Sequence, residues 1–227
     1  MRRIGVSVVV VALGLVLAAS TARAGSRTGL WFEGFGSWNA YSMTDVNKFI
    51  AGINEALALA ESELRMDEIR SGVGVGFEVG VDLPLTLGLG YERFFATSEV
   101  SDEYGGIEFK LPANAFYALA EYGLPASGLF RARLGLAGGL VVLAPVSRIA
   151  VTDPDGISLV LTGTGPLFKA YATGECWAGP QVAFFTSAGY RFAKVDQPKI
   201  RRVAISDLPI DYSGVFVRAG LKLALLK

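Results

Sequence analysis

The 227-residue chain contains no histidine. That removes Ser-His-Asp triads, Cys-His dyads and the usual zinc sites together. With no S-x-x-K present, a Ser-Lys nucleophile of that pattern is missing as well, so neither an enzymatic activity nor a metal or other cofactor is expected. There is one cysteine, Cys176. It cannot form an internal disulfide, which leaves hydrogen bonding and packing to hold the fold. Only 19% of residues are charged, against 52% hydrophobic and 28 glycines. A chain this apolar has ample surface to bury against its ordering entropy, which excludes disorder. Yet after residue 24 no stretch reaches the roughly 18 consecutive apolar residues that a spanning helix requires. Many short segments, each apolar on one face, satisfy both facts, and a membrane β-barrel is built from such segments.

The first 24 residues have the form of a secretory leader. Arg2 and Arg3 make a basic start, Val8 to Ala19 an uninterrupted apolar stretch, and Ala22-Arg23-Ala24 an A-x-A cleavage site. Cleavage after Ala24 would divide the chain into a signal peptide, 1–24, and a barrel domain, 25–227. It would leave 18 basic against 21 acidic residues, a balance that argues against nucleic acid as a partner.

From residue 69 onward apolar residues alternate with small or polar ones at period two, the mark of a strand with two unlike faces. Val73, Val75, Phe77, Val79 and Val81 share one face; Gly72, Gly74, Gly76, Glu78 and Gly80 share the other. Leu85, Leu87, Leu89 and Tyr91 against Thr86, Gly88, Gly90 and Glu92 repeat the pattern beyond the Asp82-Leu83-Pro84 turn. Further strands are expected over Leu30–Ala40, Ile107–Glu121, Phe130–Val142, Phe168–Cys176, Val182–Phe192 and Val215–Leu225, eight in all. Short connections (Asp82–Pro84, Gly123–Ser127, Ala178–Pro180) alternate with long ones (Tyr41–Glu68, Pro145–Gly165, Ala193–Pro209), and Glu99–Gly106 is intermediate. Such alternation suits an even-stranded outer-membrane barrel with short periplasmic turns and longer external loops. Thr44–Leu64 instead carries Val46, Phe49, Ile50, Ile53, Leu57 and Leu64 at three- and four-residue spacings, with Thr44 or Asp45 as N-cap. This amphipathic helix in the first external loop is read as a lid on the rim, with a plug reaching into the lumen as the other reading.

If the apolar set faces lipid, Glu33, Glu78, Glu92, Arg131, Arg133, Lys169, Glu175, Arg191, Arg218 and Lys222 line the lumen. An unpaired charge on the lipid face would cost about 2 to 4 kcal/mol at the midplane, which directs the assignment. These charges either pair to close a narrow interior or border a conductive path. Trp31, Tyr122, Phe130 and Trp177 fall near the short-turn ends, and Trp38, Phe95, Phe168, Tyr190 and Phe192 near the long-loop ends, as two interfacial girdles. Small polar changes at Gly74 are expected to be tolerated. Gly72-Val73-Gly74-Val75-Gly76 is no dinucleotide fingerprint, since Phe77 holds the third glycine position within an alternating strand. Asp153-Pro154-Asp155-Gly156 reads as a backbone turn.

Over its mature length the chain resembles the small eight-stranded outer-membrane barrels of the OmpA, OmpX and OmpW type. The resemblance lies in the leader, the eight alternating strands, the aromatics near strand ends and the long loops on one side. It implies an all-β, eight-stranded antiparallel up-and-down transmembrane barrel. It also implies a monomer in contact with outer-membrane lipid, assembled by the barrel-assembly machinery. The role implied is envelope-structural or that of a narrow passive channel for small apolar or ionic solutes. In such proteins the last strand commonly ends in an aromatic residue, whereas here the sequence closes on Leu223-Ala224-Leu225-Leu226-Lys227. Enzymes of related architecture, such as lipid A deacylases, phospholipases and omptin proteases, use histidine. The alternative is a secreted lipocalin-like carrier of a small apolar ligand. That reading inverts the two faces and calls for an outer face rich in Lys, Glu and Asp.

Overall fold

The computed structural model describes residues 29–59, 61–83, 85–101, 106–124, 129–152, 158–200, 203–204 and 208–225. The expected leader over 1–24 and the Asp153–Gly156 turn lie outside the described residues.

Eight strands close into one antiparallel barrel: β1 (Gly29–Ala40), β2 (Ser71–Asp82), β3 (Leu85–Phe94), β6 (Ala113–Gly123), β7 (Phe130–Leu143), β10 (Thr164–Trp177), β11 (Val182–Val195) and β15 (Gly214–Ala224). Each pairs with the next in chain order, and β15 returns to β1 with Trp31 opposite Ala224. The register fixes the barrel's slant. Leu30 pairs with Val81, which leads through Leu87, Ala120, Leu136, Ala170 and Tyr190 to Val215. Val215 adjoins Phe216, the partner of Asn39. The circuit therefore returns to β1 about ten residues above its start, a shear that tilts eight strands by about 40° and leaves an interior just wide enough for side chains.

The sidedness follows the period-two pattern. Val73 is 60% exposed and Leu136 66%, while Glu78 and Lys222 are fully buried. Glycines on the inward face make room for rings from neighbouring strands: a Cβ on Gly90 would overlap the Tyr117 ring, and one on Gly135 the Tyr171 ring. Gly74 is similarly confined, since a Cβ there would lie 2.6 Å from Ser37 Oγ and 2.8 Å from the Arg93 carbonyl oxygen. The expected tolerance at Gly74 is therefore corrected, because one of those neighbours is backbone and cannot swing aside.

Three further corrections concern the long connections. The segment Ile107–Glu121 is two strands, β5 (Gly106–Lys110) and β6, parted at Leu111-Pro112, where proline has no N–H to continue a ladder. The segments read as loops carry β4 (Thr97–Ser101), β8 (Arg148–Thr152), β9 (Ser158–Thr162), β12 (Lys199–Ile200) and β13 (Val203–Ala204). With β5 these form a second, six-stranded sheet at the loop end, in the order β13-β12-β9-β8-β5-β4, while the short β14 (Ile210–Asp211) pairs with β11.

The helix, α1, spans Thr44–Leu59 and so ends earlier than the expected Leu64. Glu61 takes a left-handed φ of 57°, Glu61 N–H donates to the Ala58 carbonyl and Ser62 N–H to that of Leu57. This pair of bonds terminates a helix even without glycine. At its start the Met43 carbonyl accepts the Asn47 N–H, whereas Thr44 Oγ1 bonds the Ser42 carbonyl. Asn47 grips the Ile69 backbone N–H and C=O at 2.8 and 3.1 Å, and Asn54 does the same to Met66 at 2.8 and 3.0 Å. Two side chains thereby serve as a ladder between α1 and an extended return segment. Val46 and Ile50 of α1 are buried in an apolar cluster with Met43, Met66, Ile69, Phe94, Phe109, Leu111 and Tyr212.

Candidate functional site: the barrel interior

Alternate residues of each barrel strand point inward, which brings ions and aromatic rings together along the axis. At the turn end, Lys222 Nζ lies 2.9 Å from Glu33 and 3.0 Å from Glu175. Arg133 stands 3.0 Å from Glu175, 2.9 Å from Asp82 and 3.6 Å from Glu121, and donates to Thr86 Oγ1 at 2.7 Å. Trp177 Nε1 donates to the second Glu175 oxygen at 3.1 Å. In the middle, Arg218 pairs directly with Glu78, which also accepts the Tyr117 hydroxyl at 2.8 Å. At the loop end, Glu92 receives Lys169 at 2.6 Å and Ser37 at 2.7 Å, with Arg191 3.9 Å away. Arg191 bonds Asn39 at 2.9 Å and the Tyr212 carbonyl at 3.0 and 3.1 Å.

Most of these cations also lie over rings. Lys169 is 3.8 Å from the Tyr117 centroid, Arg191 3.9 Å from Phe94 and Lys222 4.3 Å from Trp31. Arg218 has Phe35 at 4.9 Å and Tyr171 at 4.8 Å. Ring faces carry partial negative charge, so they soften the desolvation that burial imposes on each cation. Among the described residues the fully enclosed charges balance: Glu33, Glu78, Glu92, Glu121 and Glu175 against Arg133, Lys169, Arg191, Arg218 and Lys222. Balance matters here, because Glu33 and Glu78 are direct cross-strand partners and would repel without Lys222 and Arg218 beside them.

Above the ions the interior turns apolar. Tyr41 and Tyr212 meet edge to face at 5.7 Å, and the Tyr212 hydroxyl donates to the Leu111 carbonyl at 2.7 Å. Burial, with Tyr41 alongside, holds that hydroxyl well above the usual tyrosine range, so it remains a donor. The helix sits over this layer rather than among the ions. A recess of about 970 Å³ lies between α1 and residues 62–70, outside the barrel.

Of the ten charges read from the sequence, nine are buried together in this interior. Arg131 is the exception: it is exposed and lies 4.6 Å from the Trp177 centroid at the turn end. Glu121 and Asp82 belong to the network although the sequence reading did not select them. Their signal was available, since both hold the inward phase of their strands, but the aromatic and aliphatic neighbours of Glu121 made both faces of that segment look alike. Two girdle assignments are corrected by the same phase rule. Trp31 is 1% exposed and Trp177 7%, so both point inward, whereas Tyr122 and Phe130 face outward. Among the described residues no cluster of His, Cys, Asp or Glu is arranged to hold a metal ion.

No family model and no curated protein matches the chain. Among solved structures it is similar to Neisserial surface protein A, with 12% identity over 89% of this chain and 100% of that chain at a TM-score of 0.46. It is similar also to the outer membrane protein OprG from Pseudomonas aeruginosa, with 10% identity over 89% of this chain and 97% of that chain at a TM-score of 0.47. Likenesses of this grade say nothing about what the chain does.

Proposed function

We propose that the protein is a monomeric, non-enzymatic outer-membrane barrel whose lumen is closed, so that it serves the envelope as a scaffold rather than as a standing pore. The carrying observation is the inversion of faces. Val73, Val75, Phe77, Leu134, Leu136, Leu140, Phe168, Phe184, Val215 and Leu221 are exposed while the charges are enclosed. In water that arrangement would leave about half of each of these side chains unburied, forfeiting roughly 1 kcal/mol apiece; in hydrocarbon they are solvated. A soluble carrier needs the opposite arrangement, with an apolar lumen around its ligand.

Closure is supported by the ion layers and by the glycine-backed rings between them, which together occupy a section that eight strands leave only side-chain wide. On this reading residues 1–24 are a leader removed after Ala24, and the short turns lie in the periplasm. Vesicle flotation with heat-modifiable gel migration tests membrane insertion, and planar-bilayer recording tests closure. The expected result is a floating, heat-modifiable monomer with almost no conductance. A detergent-independent soluble monomer overturns the membrane reading, and steady wild-type conductance overturns the scaffold in favour of a narrow channel for small solutes.

A further inference from the structure

Among the described residues two cations hold the outward phase of the barrel strands: Lys194 near the end of β11, which pairs with Asp196 at 2.9 Å, and Arg93. Arg93 of β3 pairs with Val75 and Asn114, both outward, and its guanidinium lies 5.5 Å from the Phe95 ring. Its Nε is enclosed and has no hydrogen-bond partner among the described residues. Below it the wall is apolar and aromatic: Phe77, Tyr91 and Phe116 form a contiguous row with centroids 5.5 and 5.3 Å apart. The Tyr91 hydroxyl donates to Asn114 Oδ1 at 2.9 Å, which assigns that oxygen and keeps the amide's N–H groups as donors.

Depth explains why a charge is tolerated there. Arg93 is eight residues above Leu85, which at the rise and tilt of this barrel is about 20 Å along the axis. The apolar band of such barrels is about 25 Å tall, so Arg93 stands at its outer edge, level with Trp38 and Phe95. The same face continues past the rim. The pairing of Phe94 with Ala113 runs in unbroken register to that of Thr97 with Lys110, and Lys110 pairs in turn with Arg148. Arg93, Lys110 and Arg148 thus share one face from the lipid edge outward. Glu108 neutralises part of this strip through both Lys110 and Arg148, and Glu99 lies opposite Glu108. The donors at the lipid edge itself, Arg93 and Asn114, face no carboxylate across their strand pairs.

We propose that Arg93 and Asn114 grip a phosphate of an outer-leaflet lipid, with Lys110 and Arg148 facing the rest of its anionic headgroup. A guanidinium half-sunk beside a ring suits this acceptor, because charge-assisted bonds to phosphate satisfy it without drawing it into water. The inference rests on the membrane reading above. Its test is native mass spectrometry of the detergent-solubilised protein titrated with bisphosphorylated lipid A, with enzymatically dephosphorylated lipid A, and with either in the presence of inorganic phosphate.

Wild type should hold the phosphorylated lipid about tenfold more tightly than the dephosphorylated one. Arg93→Gln should bring that ratio near one, and Arg131→Gln at the opposite end should leave it alone. Inorganic phosphate equimolar with the lipid should not displace it. A ratio unchanged in Arg93→Gln, or displacement by inorganic phosphate, overturns the proposal. If Arg93→Gln does not fold, Lys110→Gln takes its place: a ratio reduced by about threefold supports the strip, and an unchanged one overturns it. Protein that floats with vesicles yet shows no phosphate preference defeats this inference alone, whereas failure to float defeats the membrane reading first.

Discussion

Replacing Arg133 by alanine should destabilise the barrel far more than the same change at Arg131, two residues away on the same strand. Arg133 is 6% exposed and touches Glu175, Asp82, Glu121 and Thr86. Removing one partner of a buried ion network costs about 3 to 5 kcal/mol, because the partner charge is left enclosed. Here Glu175 keeps Lys222 at 3.0 Å, but Glu121 loses the cation 3.6 Å from it, so the expected loss is near the lower bound, about 3 kcal/mol. Arg131 makes an exposed stacking contact with Trp177, worth roughly 0.5 to 1 kcal/mol. The gap between the two variants should thus be about 2 kcal/mol. Urea titration of heat-modifiable migration in vesicles reads it, and single-channel recording should show openings in Arg133→Ala alone. An Arg133→Met, Glu121→Gln pair should regain part of the loss, since it removes the stranded carboxylate together with its cation. Equal midpoints for Arg131→Ala and Arg133→Ala, with silent bilayers for both, would refute the closing network.

On the wall, Leu89→Arg, near mid-depth on the outward face, should block insertion at a cost of about 2 to 4 kcal/mol, while Gly74→Ser should insert with a lowered unfolding midpoint; normal flotation of Leu89→Arg would reverse the face assignment. Excising α1 should leave a heat-modifiable barrel, because no barrel strand takes its ladder from the helix, but should speed amide exchange around Phe109 and Tyr212; loss of the folded band would show that the helix is required for assembly. In the outer sheet, hydrogen bonds from Lys110 and then Arg148 hold the Glu108 carboxyl below its ordinary range. A depressed carboxyl stabilises above its unfolded pKa, and that contribution disappears as pH falls through the folded value. Exchange of β5 and β8 amides should therefore accelerate below the ordinary glutamate range in wild type and change little in Glu108→Gln.

Much of the barrel was legible because two-faced strands write their phase into the sequence. The run from Gly72 to Val81 shows it most plainly, with glycine or glutamate on every inward position. Phase also sufficed for nine of the ten charges, yet it could not tell a lumen position from a mouth position, which is why Arg131 and Arg133 read alike. Trp31 misled for a related reason: an aromatic near a strand end suggests an interface, although its parity with Glu33 sets it inside. The second sheet was illegible because its strands are five residues or fewer, too short for alternation to stand out. Which carboxylate meets which cation depends on the slant of the barrel, and that follows from pairing register rather than from composition.

The seam between β1 and β15 bears on how the molecule is made. Seven of the eight barrel seams join barrel strands that are successive among the eight, but this one joins residues as distant as Trp31 and Ala224. Closing so long a loop is entropically the most expensive pairing and belongs late in folding. Lys222 reaches Glu33 across that very seam, and Arg218 on the same strand reaches Glu78 one strand further on. Until the last strand docks, two carboxylates stand opposite each other with no cation between them. The final hairpin thus delivers the neutralising charge as it seals the cylinder, and an unfinished barrel differs from a finished one by an electrostatic mark as well as by an open edge.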